Sequence, residues 1–208
     1  MTIRSKKDLE VVLSKLKGFK EPSWVLEQYA TPSDIAADWI WQAALKGEIR
    51  NRIILDAACG PGILGLGALL MGAKKVFFLD KDPTIMNICQ ENYQTIKQEY
   101  EIAEAEFIVA DISLFDEEVD IVLENPPFGT KEKHVDKIFL EKAMTISKIV
   151  WSMHKTTTRS FVEAITTDFG FKITDLYQYQ FPIKAVFKFH EKPVKEVEVS
   201  LWRMEKIK

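Results

Sequence analysis

Short apolar runs alternate with longer segments of helical periodicity through most of the chain. RIILDA (52–57), KVFFLD (75–80) and AEFIVAD (105–111) are rich in Val, Ile and Phe, and VDIVLEN (119–125) and IVWSMH (149–154) continue the series. Runs of this kind, separated by helices, are typical of strands buried on both faces of a parallel sheet. The pattern therefore predicts five such strands.

The intervening segments predict helices, and two further helical stretches precede the first strand. The predicted helices cover 5–17, 32–46, 63–73, 83–99, about 135–147 and about 158–169. After residue 170 no helix separates FKITDLYQYQF, AVFKFH and EVEVSLW, so the sheet is expected to finish with antiparallel strands. We infer an α/β fold, an open, doubly wound sheet with an antiparallel end.

Length and composition favour one globular domain. The 208 residues are 47% apolar and 28% charged, and no apolar run approaches the roughly 18 residues that a membrane span needs. Two cysteines, Cys59 and Cys89, provide neither a disulfide framework nor a four-ligand zinc site, so we expect a reducing cytoplasm and no metal site.

Charge is unevenly distributed around a net value of -3. Residues 80–124 carry 13 acids and 2 lysines, whereas residues 1–20 balance to +4 and residues 184–208 to +3. A chain with an acidic middle and basic ends is able to meet nucleic acid on one face. The alternative at this point is a solvated surface with uneven charge.

The predicted strand ends carry polar and glycine residues. DAACGPG follows the first strand, Asp80 ends the second, Asp111 ends the third, and ENPPFGT follows the fourth. Ligands of such sheets bind at the carboxyl ends of the strands. A glycine loop followed by an acid fits two cofactors, a nicotinamide dinucleotide or S-adenosylmethionine.

The Asn-Pro-Pro-Phe elbow favours S-adenosylmethionine. Hydride transfer gives this elbow no role, whereas methylation of a planar amine uses each part of it. The Asn125 carboxamide oxygen and the Pro126 carbonyl can each accept one N–H bond from the amine, Pro127 stiffens the backbone, and Phe128 offers a face for base stacking. These four residues are the predicted catalytic group.

Five segments of the chain form a distinctive combination: LEQYATPSDIAA (26–37), DAACGPGIL (56–64), ENPPFGTKEKHVDKIFL (124–140), SMHKTTTR (152–159) and FPIKAVFKFHEK (181–192). Together they resemble the methyltransferase-like protein 5 family, which contains class I S-adenosylmethionine-dependent RNA adenine-N6 methyltransferases of small-subunit ribosomal RNA. The resemblance implies a Rossmann-like, mostly parallel seven-stranded sheet. Residues 51–208 would form the methyltransferase domain, and residues 1–50 a helical extension that packs on it and caps the cofactor site.

The resemblance also implies the site residues. Those predicted to bind S-adenosylmethionine are Gln28, Tyr29, Thr31, Asp56, Ala58, Gly60, Pro61, Ile63, Asp80, Asp111 and Ile112. Gln28 and Thr31 would lie over its methionine end, Asp80 would bind the ribose, and Asp111 would lie beside the adenine. Ala58 stands where the family usually has glycine, which is tolerable at a negative φ and puts the contact in doubt at a positive one.

RNA is the predicted partner, contacted by Lys131, Lys133, His154, Lys155 and Arg159. The resembled family also uses a small zinc-binding activator subunit, which would add a strand at the edge formed by 105–111. Two alternatives to an RNA methyltransferase are a glutamine-amide methyltransferase acting on protein, and a cofactor-binding scaffold without catalysis.

Overall fold

The computed structural model describes residues 2–19, 29–127, 135–184 and 194–207, which contain seven strands and six α-helices. The strands are β1 (Ile53–Ala57), β2 (Lys75–Asp80), β3 (Ala105–Val109), β4 (Ile121–Glu124), β5 (Ile149–Lys155), β6 (Phe171–Lys184) and β7 (Val194–Lys206). The helices are α1 (Lys6–Leu13), α2 (Ser33–Leu45), α3 (Ile63–Leu70), α4 (Pro83–Glu99), α5 (Val135–Ile146) and α6 (Arg159–Asp168). Short 3₁₀ turns cover Ile112–Leu114 and Thr156–Thr158.

All seven strands form one sheet in the order β3-β2-β1-β4-β5-β7-β6. Strands β1 to β5 pair in parallel, whereas β7 is antiparallel to both of its neighbours, β5 and β6. The strand order reverses between β1 and β4, which places the ligand-binding crevice of a doubly wound sheet above these two strands. The predicted fold class is confirmed. The predicted strand AVFKFH (185–190) lies outside the described residues.

Successive residues of the central strands face two separate cores. Ile54 belongs to the core shared with α1, α2 and α3, whereas Leu55 belongs to the core beneath α5 and α6. The first three helices pack closely: a Cβ atom at Gly67 of α3 would lie 3.1 Å from Ile40 of α2 and 3.6 Å from Leu13 of α1. The N-terminal helices therefore share the main core rather than lying outside it.

A buried ion pair connects the loop after α2 to the antiparallel end of the sheet. Nε of Arg203 on β7 donates to Oε1 of Glu48 at 3.0 Å, and Nε1 of Trp151 on β5 donates to Oε2 at 2.8 Å. Both charged side chains are less than a tenth exposed. In the part of the chain that the structure describes, no helix is long and apolar enough to cross a membrane.

Candidate active site at the carboxyl ends of the strands

One cavity opens where β1, β2, β3 and β4 end, with about 870 Å³ of empty space including its mouth. The loops after these strands contribute residues predicted from the sequence: Ala58, Gly60, Asp80, Asp111, Ile112, Asn125 and Pro127. Tyr29 joins them from the segment before α2. The structure thus brings to one cavity the chemistry that the sequence distributes over four strand ends.

The loop after β1 turns sharply into α3. Gly60 and Gly62 have φ angles of +53° and +87°, in the left-handed region that favours glycine. A Cβ atom at Gly62 would lie 2.5 Å from the sulfur of Cys89, and one at Gly65 would lie 2.3 Å from the ring of Phe78. The second and third glycines therefore allow the loop and helix to pack closely on β2 and α4.

Ala58 also has a positive φ, +54°. From the sequence, alanine is expected to be tolerated at this position only if φ is negative. The positive φ therefore makes Ala58 a strained residue, and it lines the cavity.

Asp56 stabilises this loop from below. Its side chain is buried, and Oδ2 accepts the backbone N–H of Gly65 at 2.7 Å, in the first turn of α3. Burial raises the pKa of the Asp56 carboxyl well above its usual range, although the Gly65 bond opposes this shift. Asp56 does not line the cavity among the described residues, and neither do Pro61, Ile63 and Thr31.

Asp80 is held at the cavity wall by two backbone N–H groups. Oδ2 accepts from Gly60 at 2.9 Å and Oδ1 accepts from Asp82 at 3.0 Å. Burial raises the pKa of Asp80 above its ordinary value, against the effect of these two bonds. Asp111 shows the opposite behaviour, because bonds from the hydroxyl and the N–H of Ser113 lower its pKa.

The elbow begins at Asn125, whose carboxamide nitrogen donates to Oγ1 of Thr31 at 2.9 Å. This bond joins positions 94 residues apart and fixes the orientation of the carboxamide. Pro126 is buried and Pro127 lines the cavity. The remaining predicted residues of this part of the site, Phe128 and Gln28, lie outside the described residues.

The sequence interpretation missed seven apolar or cationic lining residues: Leu79, Ala110, Phe19, Lys81, Val135, Ile138 and Phe139. The last three have the i, i+3, i+4 spacing of one helix face, directly after the elbow, and this spacing could have identified them. Phe19 has no such signal, because only tertiary packing brings its ring toward Gly60.

The predicted RNA contacts are dispersed. His154 is 1% exposed, and its Nε2 lies 2.7 Å from Oγ of Ser152, so direct RNA contact through its ring is a wrong prediction for this structure. Lys155 is half-buried, while Arg159 is exposed and pairs with Glu163 at 2.8 Å. Lys131 and Lys133 lie outside the described residues.

The strand order, the crevice at the switch point and the Asn-Pro-Pro elbow define a Rossmann-like methyltransferase. A solved magnesium protoporphyrin IX methyltransferase from Synechocystis, with bound S-adenosylmethionine, has the same fold, at a TM-score of 0.66 and 12% identity over 83% of this chain and 78% of that one.

Residues 38–168 match the family model named conserved hypothetical protein 95. The chain is 33% identical to the rRNA N(6)-adenosine-methyltransferase Mettl5 of Drosophila melanogaster, over 95% of this chain and 94% of the relative. It is 34% identical to the uncharacterized protein MJ0284 of Methanocaldococcus jannaschii, over 97% and 94%. A crystal structure of PH1948 from Pyrococcus horikoshii, provisionally called an RNA methyltransferase, superposes with a TM-score of 0.90 and 37% identity. The match covers 100% of this chain and 100% of that one. The chain belongs to the conserved hypothetical protein 95 family. It also belongs to the methyltransferase-like protein 5 family, as its sequence motifs predicted.

Proposed function

We propose that this protein transfers a methyl group from S-adenosylmethionine to N6 of an adenosine in RNA, and that ribosomal RNA is the substrate. The bond from Asn125 to Thr31 carries this proposal. It fixes a carboxamide at the rim of the cavity, on an elbow whose two prolines offer no competing N–H donor. The name of the Mettl5 relative agrees with this substrate.

The cavity residues suit the proposed cofactor. Asp80 accepts two backbone N–H bonds, and its carboxylate retains lone pairs for two ribose hydroxyls. Leu79, Ala110 and Ile112 supply apolar surface for a purine next to the Asp111 carboxylate. When bound, S-adenosylmethionine would supply an electrophilic methyl group. The roles of Gln28, Thr31, Asp56, Pro61 and Ile63 in binding it stay predictions.

The chain's own contribution is to orient the target amine. Nδ2 of Asn125 donates to Thr31, which fixes the orientation of the carboxamide, and Oδ1 is its acceptor for an N–H of the amine. The Pro126 carbonyl would accept the second N–H, and Phe128 would stack on the base. Acceptors fixed in this way favour the state in which positive charge develops on the amine nitrogen.

RNA would approach at the same end of the sheet. Arg159 is exposed and begins α6, after the 3₁₀ turn that follows the strand carrying Lys155. Lys131 and Lys133 follow the elbow in the sequence, and cations in these positions would contact phosphates beside the target base. A cytoplasmic location also stays a prediction.

Incubation of the purified protein with methyl-labelled S-adenosylmethionine and either ribosomal RNA or a protein extract tests the proposal. We expect label in RNA, recovered as N6-methyladenosine after digestion. Label on glutamine side chains of protein would support the amide methyltransferase instead, and cofactor binding with no label in either pool would support a scaffold.

We also propose that the edge of the sheet formed by β3 binds a small zinc-binding activator subunit by strand addition. β3 is the terminal strand in the sheet order, and Val109 is 50% exposed. A terminal strand offers unpaired backbone groups to a second chain.

A further inference from the structure

Three buried polar side chains form a row behind the elbow, on the face of the sheet that α5 and α6 cover. Oγ of Ser152 on β5 lies 2.7 Å from Oε1 of Glu124 on β4 and 2.7 Å from Nε2 of His154. Glu124 and Ser152 are 0% exposed and His154 is 1% exposed. The second carboxyl oxygen of Glu124, Oε2, is buried with no hydrogen-bond partner within the described residues. We call these three residues the Glu-Ser-His row.

The surroundings of the row are largely apolar. Among the described residues, the buried core positions on this face include Ala57 of β1, Leu140 and Ala143 of α5, Val162 of α6 and Trp202 of β7. On this face, the other buried polar groups of these elements are the hydroxyls of Thr166 and Ser200 and the indole N–H of Trp202. Asp56 of β1 and Arg203 of β7 are also buried, but they lie on the opposite face of the sheet. His154 is thus the titratable group that faces Glu124 here. Burial raises the pKa of Glu124 to about 8, against the effect of the Ser152 bond, and lowers the pKa of His154 to about 3.

The proton on Glu124 sets the direction of both hydrogen bonds. Ser152 has one hydroxyl proton and cannot donate it to both neighbours. With Glu124 protonated, the carboxyl donates to Ser152, and Ser152 donates to Nε2 of neutral His154. With Glu124 ionised, Ser152 donates to the carboxylate, and His154 must carry its proton on Nε2. Loss of one proton therefore reverses the whole row and leaves a charge in an apolar site.

The row is attached directly to the catalytic elbow. Glu124 is the last residue of β4, paired in register with Ala57 of β1 and Ser152 of β5, and Asn125 follows it. Beyond this point Pro126 and Pro127 have no N–H to hold the chain. Asn125 therefore bonds to Thr31 through its side chain and follows directly on Glu124 in the chain.

We propose that Glu124, Ser152 and His154 are positioning residues for Asn125, and that methyl transfer needs the row in its protonated direction. This inference rests on the proposed function. It assigns a role to a buried acid that does not line the cavity among the described residues.

The pH profile of methyl transfer separates positioning from simple structural support. In the wild type, kcat falls about tenfold per pH unit above the Glu124 pKa, because one proton is lost from an essential group. Glu124→Gln keeps a neutral donor of the same shape, so this fall disappears between pH 7 and pH 9. Equal alkaline falls in Glu124→Gln and wild type would overturn the proposal.

A matched pair of serine variants tests the hydrogen-bond link. Ser152→Ala interrupts the row, and we expect kcat at pH 7 to drop at least tenfold while S-adenosylhomocysteine affinity stays within twofold. Ser147→Ala removes another buried hydroxyl, which bonds to the carbonyls of Ala143 and Ile149 before β5, and should leave kcat within twofold. Equal kcat values for the two folded variants contradict the proposal.

NMR measures the coupling between Glu124 and Asn125 without any methyl transfer. It therefore tests the positioning role separately from the proposed RNA methyltransferase activity. If the protein methylates no RNA, the proposed function is rejected, while the NMR measurement still tests the positioning role. The Asn125 side-chain amide signal, assigned by its absence in Asn125→Ala, should shift in wild type with the same midpoint as the Glu124 carboxyl carbon. In Glu124→Gln, the Asn125 amide signal should stay constant between pH 7 and pH 9. An Asn125 signal that does not follow the carboxyl titration in wild type overturns the positioning role, even if Ser152→Ala fails to fold.

Discussion

Asp80 is a single residue on which cofactor affinity and pH dependence should both depend. Its pKa is raised by burial, so protonation begins at a higher pH than for an ordinary aspartate. A protonated carboxyl accepts ribose hydroxyls less well, and S-adenosylhomocysteine affinity should therefore fall as the pH falls through this raised pKa. Calorimetry from pH 7 to pH 4 measures this dependence.

Two variants check that assignment. Asp80→Asn should weaken binding by about 1–3 kcal/mol, through the loss of charge-assisted bonds, and should flatten the pH dependence. Asp111→Asn is the matched control, because the lowered pKa of Asp111 keeps it ionised over most of the same range. Unchanged affinity in Asp80→Asn would remove Asp80 from the site.

Ala58 illustrates strain at the residue scale. An alanine at φ +54° is disfavoured by roughly 1–2 kcal/mol relative to the right-handed region, while glycine lowers stability by about 0.4–1 kcal/mol through unfolded-chain entropy. Ala58→Gly should therefore raise the free energy of unfolding by up to about 1.6 kcal/mol in urea denaturation. The neighbouring Ala57→Gly, on a regular strand, should lower it, and a lower value for both variants would contradict the strain.

At the scale of elements, the outward backbone N–H groups of the edge strand β3 allow a test of the proposed activator subunit. Ala110 donates its N–H to Asp80 of β2 at 3.1 Å, so by alternation the N–H of Val109 points away from the sheet. Val109→Pro removes an outward donor and should weaken a strand-added partner at least tenfold. Val109→Ala keeps the N–H and should bind normally.

Pull-down from the native source, with circular dichroism of each variant, measures this effect. Equal capture of the activator by both folded variants, or no capture by the wild type, would contradict the partner proposal. β3 would then be an edge strand that charged side chains protect from pairing.

The hydrophobic pattern predicted the strands well where burial alone defines them. KVFFLD coincides with β2, because every residue between its ends is buried and the strand is paired on both sides, with β1 and β3. The predictions overran where polar side chains end the pairing. AEFIVAD stops at Val109, since Asp111 instead caps a 3₁₀ turn by accepting from Ser113. VDIVLEN shortens to Ile121–Glu124, because the following prolines cannot continue a ladder.

At the scale of the whole molecule, the buried pair of Glu48 and Arg203 connects the N-terminal helices to the antiparallel strands. Glu48→Ala leaves the buried donors of Arg203 Nε and Trp151 Nε1 without their acceptor, although Arg203 keeps its pair with Glu205 at 2.8 Å. This variant should therefore lower the free energy of unfolding by about 2 kcal/mol or more. The exposed Glu118→Ala should change it by less than about 0.5 kcal/mol. Urea denaturation of both variants distinguishes this contribution from a general loss of negative charge.

The site was predictable where it follows strand ends and unpredictable where distant segments meet. Asp80, Asp111 and Asn125 follow from their place after successive strands. The contact between Thr31 and Asn125, the approach of Phe19 to Gly60 and the burial of His154 depend on packing between segments far apart in the sequence. No local pattern encodes such contacts, which is why His154 was mistaken for a surface residue.

Methyl transfer by Asn125→Ala, measured beside its cofactor affinity, tests the central claim most directly. The fixed carboxamide should act mainly on the developing charge of the target amine. We therefore predict that this variant binds S-adenosylhomocysteine within about twofold of wild type by calorimetry, yet forms N6-methyladenosine in ribosomal RNA at least about a hundredfold more slowly. Wild-type turnover in a folded, cofactor-bound Asn125→Ala protein would contradict the account.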